Sequence, residues 1–129
     1  MMMGISNNSD LEERLVNFAV AVIAESAQIT VKPFSAHLGK QLARSASSAA
    51  LYYAEARSAE SRKDFIHKMK ITLKELRETH VCLRIISRAQ LHRNTQSLAI
   101  VLRESDELIS IFVKSLATVR KNSTSGDTS

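Results

Sequence analysis

The chain has 129 residues, of which 44% are hydrophobic and 24% charged; this is typical of one globular domain and excludes a wholly disordered chain. Three glycines, one proline and no tryptophan leave few turn-forming residues, which predicts a few long elements, and therefore helices. The lone cysteine, Cys82, excludes an internal disulfide framework, and the net charge of +5 permits an anionic partner without requiring one.

The cellular setting is indicated by the start of the sequence. The apolar run at residues 18–24 follows the acidic residues Asp10, Glu12 and Glu13 rather than a basic leader. The run is also much shorter than a bilayer-spanning helix requires. We therefore expect a cytoplasmic protein that has no membrane segment.

The first predicted helix runs from about Ser9 to Ile29. Ser9 and Glu12 have the spacing of an N-terminal capping box, and Pro33 predicts that the helix has ended before it. Apolar side chains recur at helical spacing at Leu11, Leu15, Phe18, Val22 and Ile29, with Val16, Ala19 and Ile23 alongside.

The second predicted helix runs from about Ser35 to Ala56. Its middle, residues 43–50, is almost entirely alanine and serine, and such small side chains allow a neighbouring helix to approach closely. Its inward-facing residues are predicted to be Leu38, Leu42, Ala46, Ala49 and Tyr53.

The third predicted helix, residues 61–89, begins at a Ser61–Asp64 capping pair, and the fourth covers residues 95–121. The inner face of the third is predicted at Ile66, Met69, Leu73, Leu76, His80 and Leu83, and that of the fourth at Leu98, Val101, Leu102, Leu108, Ile109, Phe112, Leu116 and Val119. Because the connections are short, we predict an all-α, antiparallel up-and-down four-helix bundle. Residues 1–8 and 122–129 are predicted to be disordered.

The third helix has a row of basic residues on one face, interrupted by Val81. We call six of them the basic stripe: Lys63, Lys70, Lys74, Arg77, Arg84 and Arg88. His67 lies on the same face, between Lys63 and Lys70, but is not counted in the stripe. Between Arg57 and Arg93 ten lysines and arginines stand against four acidic residues. A track for a phosphate backbone is one interpretation, and an ordinary solvated face is the other. The stripe has no interleaved aromatics, so it does not indicate base stacking.

Five apolar residues lie off these inner faces: Ile71, Cys82 and Ile85 on the third helix and Ile100 and Ile111 on the fourth. A subunit interface would account for them, because large exposed apolar patches are unusual on monomers. Scattered surface hydrophobes are equally compatible with the pattern.

Sites for catalysis or cofactors are not indicated. Asp64 and His67 form a single acid–x–x–His pair, whereas a di-iron bundle needs two such pairs and further glutamates. Cys82 is interpreted as a packed hydrophobe, and His80 as a hydrogen-bonded core residue. Glu75 and Glu78 could pair as acid and base, but ion pairs with nearby cations explain them better. We expect no catalytic, cofactor or metal site.

Several short motifs follow one another along the first three helices. They are DLEERL at residues 10–15, HLGKQLARS at 37–45, YAEA at 53–56, AESRKDFIHKM at 59–69 and LKELRET at 73–79. In their order and spacing they resemble the bacterial four-helix-bundle family of 23S rRNA intervening-sequence proteins. That family is in turn similar to the accessory proteins of diversity-generating retroelements, basic ring-shaped bundles that engage nucleic acid and a reverse transcriptase.

The resemblance implies an antiparallel bundle, a homo-oligomer in the form of a five-fold ring, and no known enzymatic activity. We therefore predict a non-enzymatic homo-oligomer that binds RNA or DNA through the basic stripe. The alternative is a protein-only scaffold or adaptor, in which the stripe serves solubility or meets an acidic protein partner.

Overall fold

A computed structural model of the chain describes residues 3–30, 32–33 and 35–128, with side chains described within 10–122. Four helices account for nearly all of this part of the chain: α1, Met3–Ser26; α2, Ala36–Arg57; α3, Arg62–Arg88; and α4, Thr95–Thr128. The described residues contain no strand, only an isolated bridge between Ile29 and His92. The predicted all-α class is confirmed. No described helix is both long and apolar enough to span a membrane.

The helix ends differ from the predictions at both ends of the chain. The capping-box prediction required Ser9 to be the N-cap of the first helix. It was wrong, because α1 begins at Met3 and Ser9 lies inside the helix. α4 continues to Thr128. Side chains of residues 1–9 and 123–129 lie outside the described part, and disorder of the two ends stays a prediction. At α3 the prediction was right, because Ser61 accepts a hydrogen bond from the Asp64 amide at 3.0 Å.

The bundle core lies between all four helices. Consecutive helices pack side by side, and α1 also touches α4, although less extensively than the other neighbouring pairs. Fully buried leucines and Phe112 fill the centre, where the Phe112 ring meets the Tyr53 ring edge-on with centroids 5.5 Å apart. The largest fully buried apolar side chains are Phe112, Leu15, Leu42, Leu76, Leu83, Ile86, Leu98, Leu108 and Val22.

α2 and α3 pack most closely, as the alanine- and serine-rich stretch predicts. Ser45 and Thr79, both fully buried, place their hydroxyl oxygens 2.7 Å apart across this seam. Each hydroxyl also lies near a carbonyl of its own helix, Thr79 at 2.9 Å from the Glu75 oxygen and Ser45 at 3.3 Å from the Leu42 oxygen. Further along, the Cys82 thiol lies 3.6 Å from the Leu38 carbonyl oxygen. A side chain of α3 therefore reaches the backbone of α2.

One end of the bundle is closed by the α1–α2 and α3–α4 connections, which lie side by side. The Thr30 amide donates to the Leu91 carbonyl, and the Arg93 amide donates to the Gln28 carbonyl. Beneath them the buried His92 ring places Nε2 2.8 Å from the Glu25 carboxylate, which also accepts a hydrogen bond from Ser97. These contacts satisfy polar groups that two separate loops would leave to solvent.

Candidate nucleic-acid interface

The basic stripe lies on the solvent side of α3. All six of its side chains are exposed, and so is His67. The buried residues of α3 occupy the opposite face and press against α2 and the core: Met69, Thr72, Glu75, Leu76, Thr79, Cys82, Leu83 and Ile86. At about 1.5 Å per residue the stripe is roughly 37 Å long. The structure thus places the six predicted residues together on one accessible face.

The charges of the stripe are nearly uncompensated, because most acidic groups are engaged elsewhere. Arg14, Arg44, Arg57, Lys68 and His92 pair with seven of the described carboxylates: Glu12, Glu25, Glu55, Glu75, Glu78, Glu104 and Glu107. Among the described residues, the single ion pair that involves the stripe joins Lys74 to Glu78 at 4.0 Å. An uncompensated row of cations produces a positive potential along α3.

A shallow groove runs between α3 and α4 beside the middle of the stripe. It has a volume of about 540 Å³, and we call it the α3–α4 groove. Its floor is apolar and includes Leu73, Val81 and the buried Leu116, while its rim carries charge. The charged rim residues are Lys70, Lys74, Arg77, Glu78 and Arg120. A ligand in this groove would meet cations at the rim and hydrocarbon below.

The inner face of α3 was predicted correctly only in part. The buried face of the helix lies closer to α2 than the apolar pattern predicted. Met69, Leu76 and Leu83 are buried as predicted, whereas Leu73 and Ile66 are only half-buried. Thr72, Glu75 and Thr79 are buried in their place. The reason is the narrow α2 surface, against which threonines fit and form hydrogen bonds. The same rotation leaves the basic stripe fully on the outside.

Comparison with known proteins agrees with the motifs. A family model described as 23S rRNA-intervening sequence protein matches residues 8–114. The chain belongs to this family. A search of the curated proteins found no match.

The intervening-sequence protein also resembles a solved structure. This is a crystal structure of a protein of unknown function from the S23 ribosomal protein family of Bacteroides thetaiotaomicron. The two chains are 25% identical and superpose with a TM-score of 0.74, over 82% of this chain and 97% of the other. The fold is therefore shared along nearly the whole length of the Bacteroides protein.

The five apolar interface candidates of this intervening-sequence protein do not share one environment. Ile85 and Ile100 are 47% and 64% exposed, so both can meet another molecule. Ile71 and Ile111 are half-buried, and Ile111 packs against the core. Cys82 is only 4% exposed. Its assignment to a subunit interface was wrong, because α2 covers it within the monomer.

Another apolar row was missed by the sequence analysis. Val16, Val20 and Ile23 of α1 are 40%, 62% and 48% exposed, at spacings of four and three residues that place them on one face. The sequence analysis placed Val16 and Ile23 beside the core stripe of the first helix. The width of an apolar face in the sequence does not show how much of that face the neighbouring helices cover. On a different face of α1, Phe18 and Ala21 line a cleft of about 360 Å³ together with Ile100 and Val101 of α4.

The remaining candidates for chemistry are structural groups. His80 Nδ1 lies 2.8 Å from the Ser105 hydroxyl, and burial lowers the pKa of His80. Burial raises the pKa of the Cys82 thiol, which disfavours the reactive thiolate. Among the side chains that the structure describes, no three histidine, cysteine or acidic groups are placed to bind one metal ion.

The carboxyl groups of Glu75 and Glu78 are held by a cation of α2 that the sequence analysis did not identify. Arg44 Nη1 lies 3.3 Å from Glu75, and Arg44 also hydrogen-bonds to Glu78. Burial and the neighbouring charge of Glu78 raise the pKa of Glu75 nonetheless. The predicted pairing with a nearby cation of α3 is confirmed for Glu78, which lies 4.0 Å from Lys74, whereas the ion-pair partner of Glu75 is Arg44 of α2.

Proposed function

We propose that this member of the intervening-sequence family is a non-enzymatic protein that binds RNA or DNA through the basic stripe of α3. The observation that supports this most is the charge distribution. Six cations follow one exposed face, while seven described carboxylates pair with cations outside it, and one of these, Glu78, also lies 4.0 Å from Lys74 of the stripe. Without an anionic partner, repulsion among these cations would lower the stability of the folded protein.

The stripe would bind the phosphate backbone. Lysine and arginine side chains on a straight, roughly 37 Å face can meet successive phosphates and release their counterions. Aromatic side chains are absent from the stripe, so base stacking does not add to it. We therefore expect affinity that depends steeply on salt, and little preference for base sequence.

We further propose that the protein acts as a homo-oligomer. The five-fold ring implied by the family resemblance would present several basic stripes to one nucleic acid, and linked sites raise avidity. Ile100 is exposed on α4 and lines the α1–α4 cleft, and the α1 row of Val16, Val20 and Ile23 is a second exposed apolar surface. Both surfaces are suited to meet other copies of the chain.

The oligomer is tested by changing Ile100 to Asp, which should dissociate the assembly. Leu51→Asp is the matched control, because Leu51 on α2 is equally exposed at 63% and lies outside the proposed interface. The molar mass is measured by light scattering after size exclusion. A mass that is the same for Ile100→Asp and the unchanged protein would remove Ile100 from the interface.

Nucleic-acid binding is tested with a structured RNA and a duplex DNA over a series of salt concentrations. The variant Lys70→Ala/Lys74→Ala/Arg77→Ala removes three charges from the middle of the stripe. On duplex DNA the slope of log affinity against log salt should fall by about 0.9 for each phosphate that the variant no longer neutralises. The control, Lys40→Ala/Arg93→Ala/Arg103→Ala, removes equal charge from exposed positions outside the stripe.

Two outcomes would count against the proposal. Equal reductions of affinity in the two triple variants would mean that net charge, not the stripe, attracts nucleic acid. No binding at low salt by the folded, assembled protein would exclude the proposal and favour a protein scaffold. In that case the α3–α4 groove, with its apolar floor and cationic rim, would be tested with acidic amphipathic peptides.

A further inference from the structure

The end of the bundle opposite the two loops contains a large cavity. All four helices contribute to it, around the α2–α3 connection, and its volume is about 910 Å³. We call it the bundle-end cavity. Volumes of this order are typical of small-molecule sites, which often lie between the helices of bundles. None of its lining residues belongs to the basic stripe.

The inner part of the cavity is apolar. Leu11, Phe65, Met69 and Val119 come from α1, α3 and α4, and Met69 is buried at 3% exposure. These side chains form a hydrocarbon surface that is partly open to water, since Leu11, Phe65 and Val119 are only half-buried. An apolar group of a ligand would displace that water, which is favourable in free energy.

The mouth of the cavity is positively charged. Arg57, Arg62 and Lys114 line it, against one acidic residue, Glu60. Arg57 pairs with Glu12 at 2.7 Å, but Arg62 and Lys114 have no ion pair among the described residues. Arg62 instead reaches across from α3 to donate to the Val119 carbonyl of α4 at 3.4 Å. Its guanidinium is thereby held over the cavity.

The wall of the cavity also includes the side chain of a tyrosine, Tyr53. Tyr53 lines the cavity and is 3% exposed, and its ring is fixed edge-on against Phe112. Among the described residues the Tyr53 hydroxyl has no hydrogen-bond partner. The hydroxyl oxygen is not among the buried unpaired atoms of the described residues, so solvent reaches it, and a polar group of a ligand could reach it as well.

We propose that the bundle-end cavity binds a small organic anion, a carboxylate with an aliphatic or aromatic body. The body lies on Leu11, Phe65 and Met69. The carboxylate lies at the mouth between Arg62 and Lys114, away from Glu60, where the N-terminal end of α3 adds a favourable partial charge. This site is independent of nucleic-acid binding and would remain if that proposal failed.

Three probes with the same eight-carbon chain test the ligand class: octanoate, octylammonium and 1-octanol. Binding is followed by calorimetry, and its location by the methyl resonance of Met69 in spectra of ¹³C-methionine-labelled protein. Octanoate should bind more tightly than 1-octanol and shift the Met69 resonance, and octylammonium should not bind. Equal binding of octanoate and octylammonium, or octanoate binding without a shift at Met69, would overturn the proposal.

Substitutions then assign the contacts. Arg62→Gln and Lys114→Gln should each weaken octanoate binding about tenfold, the size of one charge-assisted hydrogen bond. Lys40→Gln on the exposed side of α2 is the control and should have no effect. A reduction in the control as large as that in Arg62→Gln, or no octanoate binding by the unchanged protein at millimolar concentration, would overturn the proposal.

Discussion

The two seams that α3 forms, with α2 and with α4, are built on different principles. Against α2 the helices approach so closely that hydroxyl groups bond across the seam, as Ser45 and Thr79 do, and a thiol reaches a backbone carbonyl. Against α4, larger side chains such as Leu73 and Leu116 hold the helices apart, and the α3–α4 groove remains open. Side-chain size on the neighbouring helix therefore decides which flank of α3 becomes interior and which becomes accessible surface.

The two seams also differ in how they hold titratable groups. At the α2–α3 seam the buried Glu75 has a raised pKa, because desolvation and Glu78 outweigh the attraction of Arg44. At the α3–α4 seam His80 has a lowered pKa, because desolvation outweighs the attraction of Asp106. Both seams disfavour the charged form, so acidification should weaken one and relieve the other.

The largest effect is expected from overpacking the small-residue stretch. Ala46→Leu places three extra carbon atoms at a fully buried position, where overpacking destabilises by about 2–3 kcal/mol. Urea unfolding followed by circular dichroism measures the free energy of unfolding. If Ala46→Leu left that free energy unchanged, α2 could not be tightly packed in this stretch.

A smaller effect is expected for the hydroxyl pair across the α2–α3 seam. Ser45→Ala should destabilise by about 1 kcal/mol, because the buried Thr79 hydroxyl loses its hydrogen-bond partner on α2. The double variant Ser45→Ala/Thr79→Val replaces both groups and should cost less than the two single changes together. Urea unfolding of the full double-mutant cycle measures the coupling, and additive single effects would show that the two hydroxyls do not interact.

As the pH falls, the contributions of the two seams to the stability of the protein should change in opposite directions. A lowered histidine pKa means that stability is lost as the pH falls below the ordinary His80 value of 6.5. A raised glutamate pKa means that stability is regained as the pH falls toward the ordinary Glu75 value of 4.5. Compared with the unchanged protein, His80→Gln should therefore lose less stability between pH 7 and 5.5, and Glu75→Gln should lose more on further acidification. Thermal unfolding across this range measures both, and identical profiles for the two variants would contradict the assignment.

The smallest effect is expected from filling the α3–α4 groove. Val81 is 48% exposed, so Val81→Leu should change the free energy of unfolding by less than about 0.5 kcal/mol. The Ala46→Leu variant is the matched comparison, since it also enlarges an aliphatic side chain but at a closed seam. Comparable destabilisation of the two variants would show that the groove is as tightly packed as the α2–α3 seam.

Much of the fold and of the basic surface could be predicted from the sequence. Four apolar stripes at helical spacing, with few glycines and prolines, predicted the four helices, because that period is a local property of the chain. Lys63 to Arg88 were predicted on one face for the same reason. The Ser61 cap was also predicted correctly, since a cap depends on residues only three positions apart.

The burial of polar residues could not be predicted from the same pattern. Thr72, Glu75 and Thr79 look like surface residues. Their burial is tolerable because Thr72 donates to a carbonyl of its own helix, while α2 supplies a hydroxyl beside Thr79 and a cation beside Glu75. Cys82 was placed at an interface because its off-stripe position says nothing about which helix lies over it. Val16 and Ile23 were placed beside the core stripe of α1, although no described neighbouring helix covers them fully.

The sequence by itself determined the helices and the charges that each face carries, because both follow from spacings within one helix. Only the tertiary structure decided which cations stay uncompensated, since Arg14, Arg44 and Arg57 find their carboxylates on other helices. It also decided where space remains, at the α3–α4 groove and the bundle-end cavity. Pairing and space both depend on the distance between helices, and side chains far apart in the sequence set that distance when they pack.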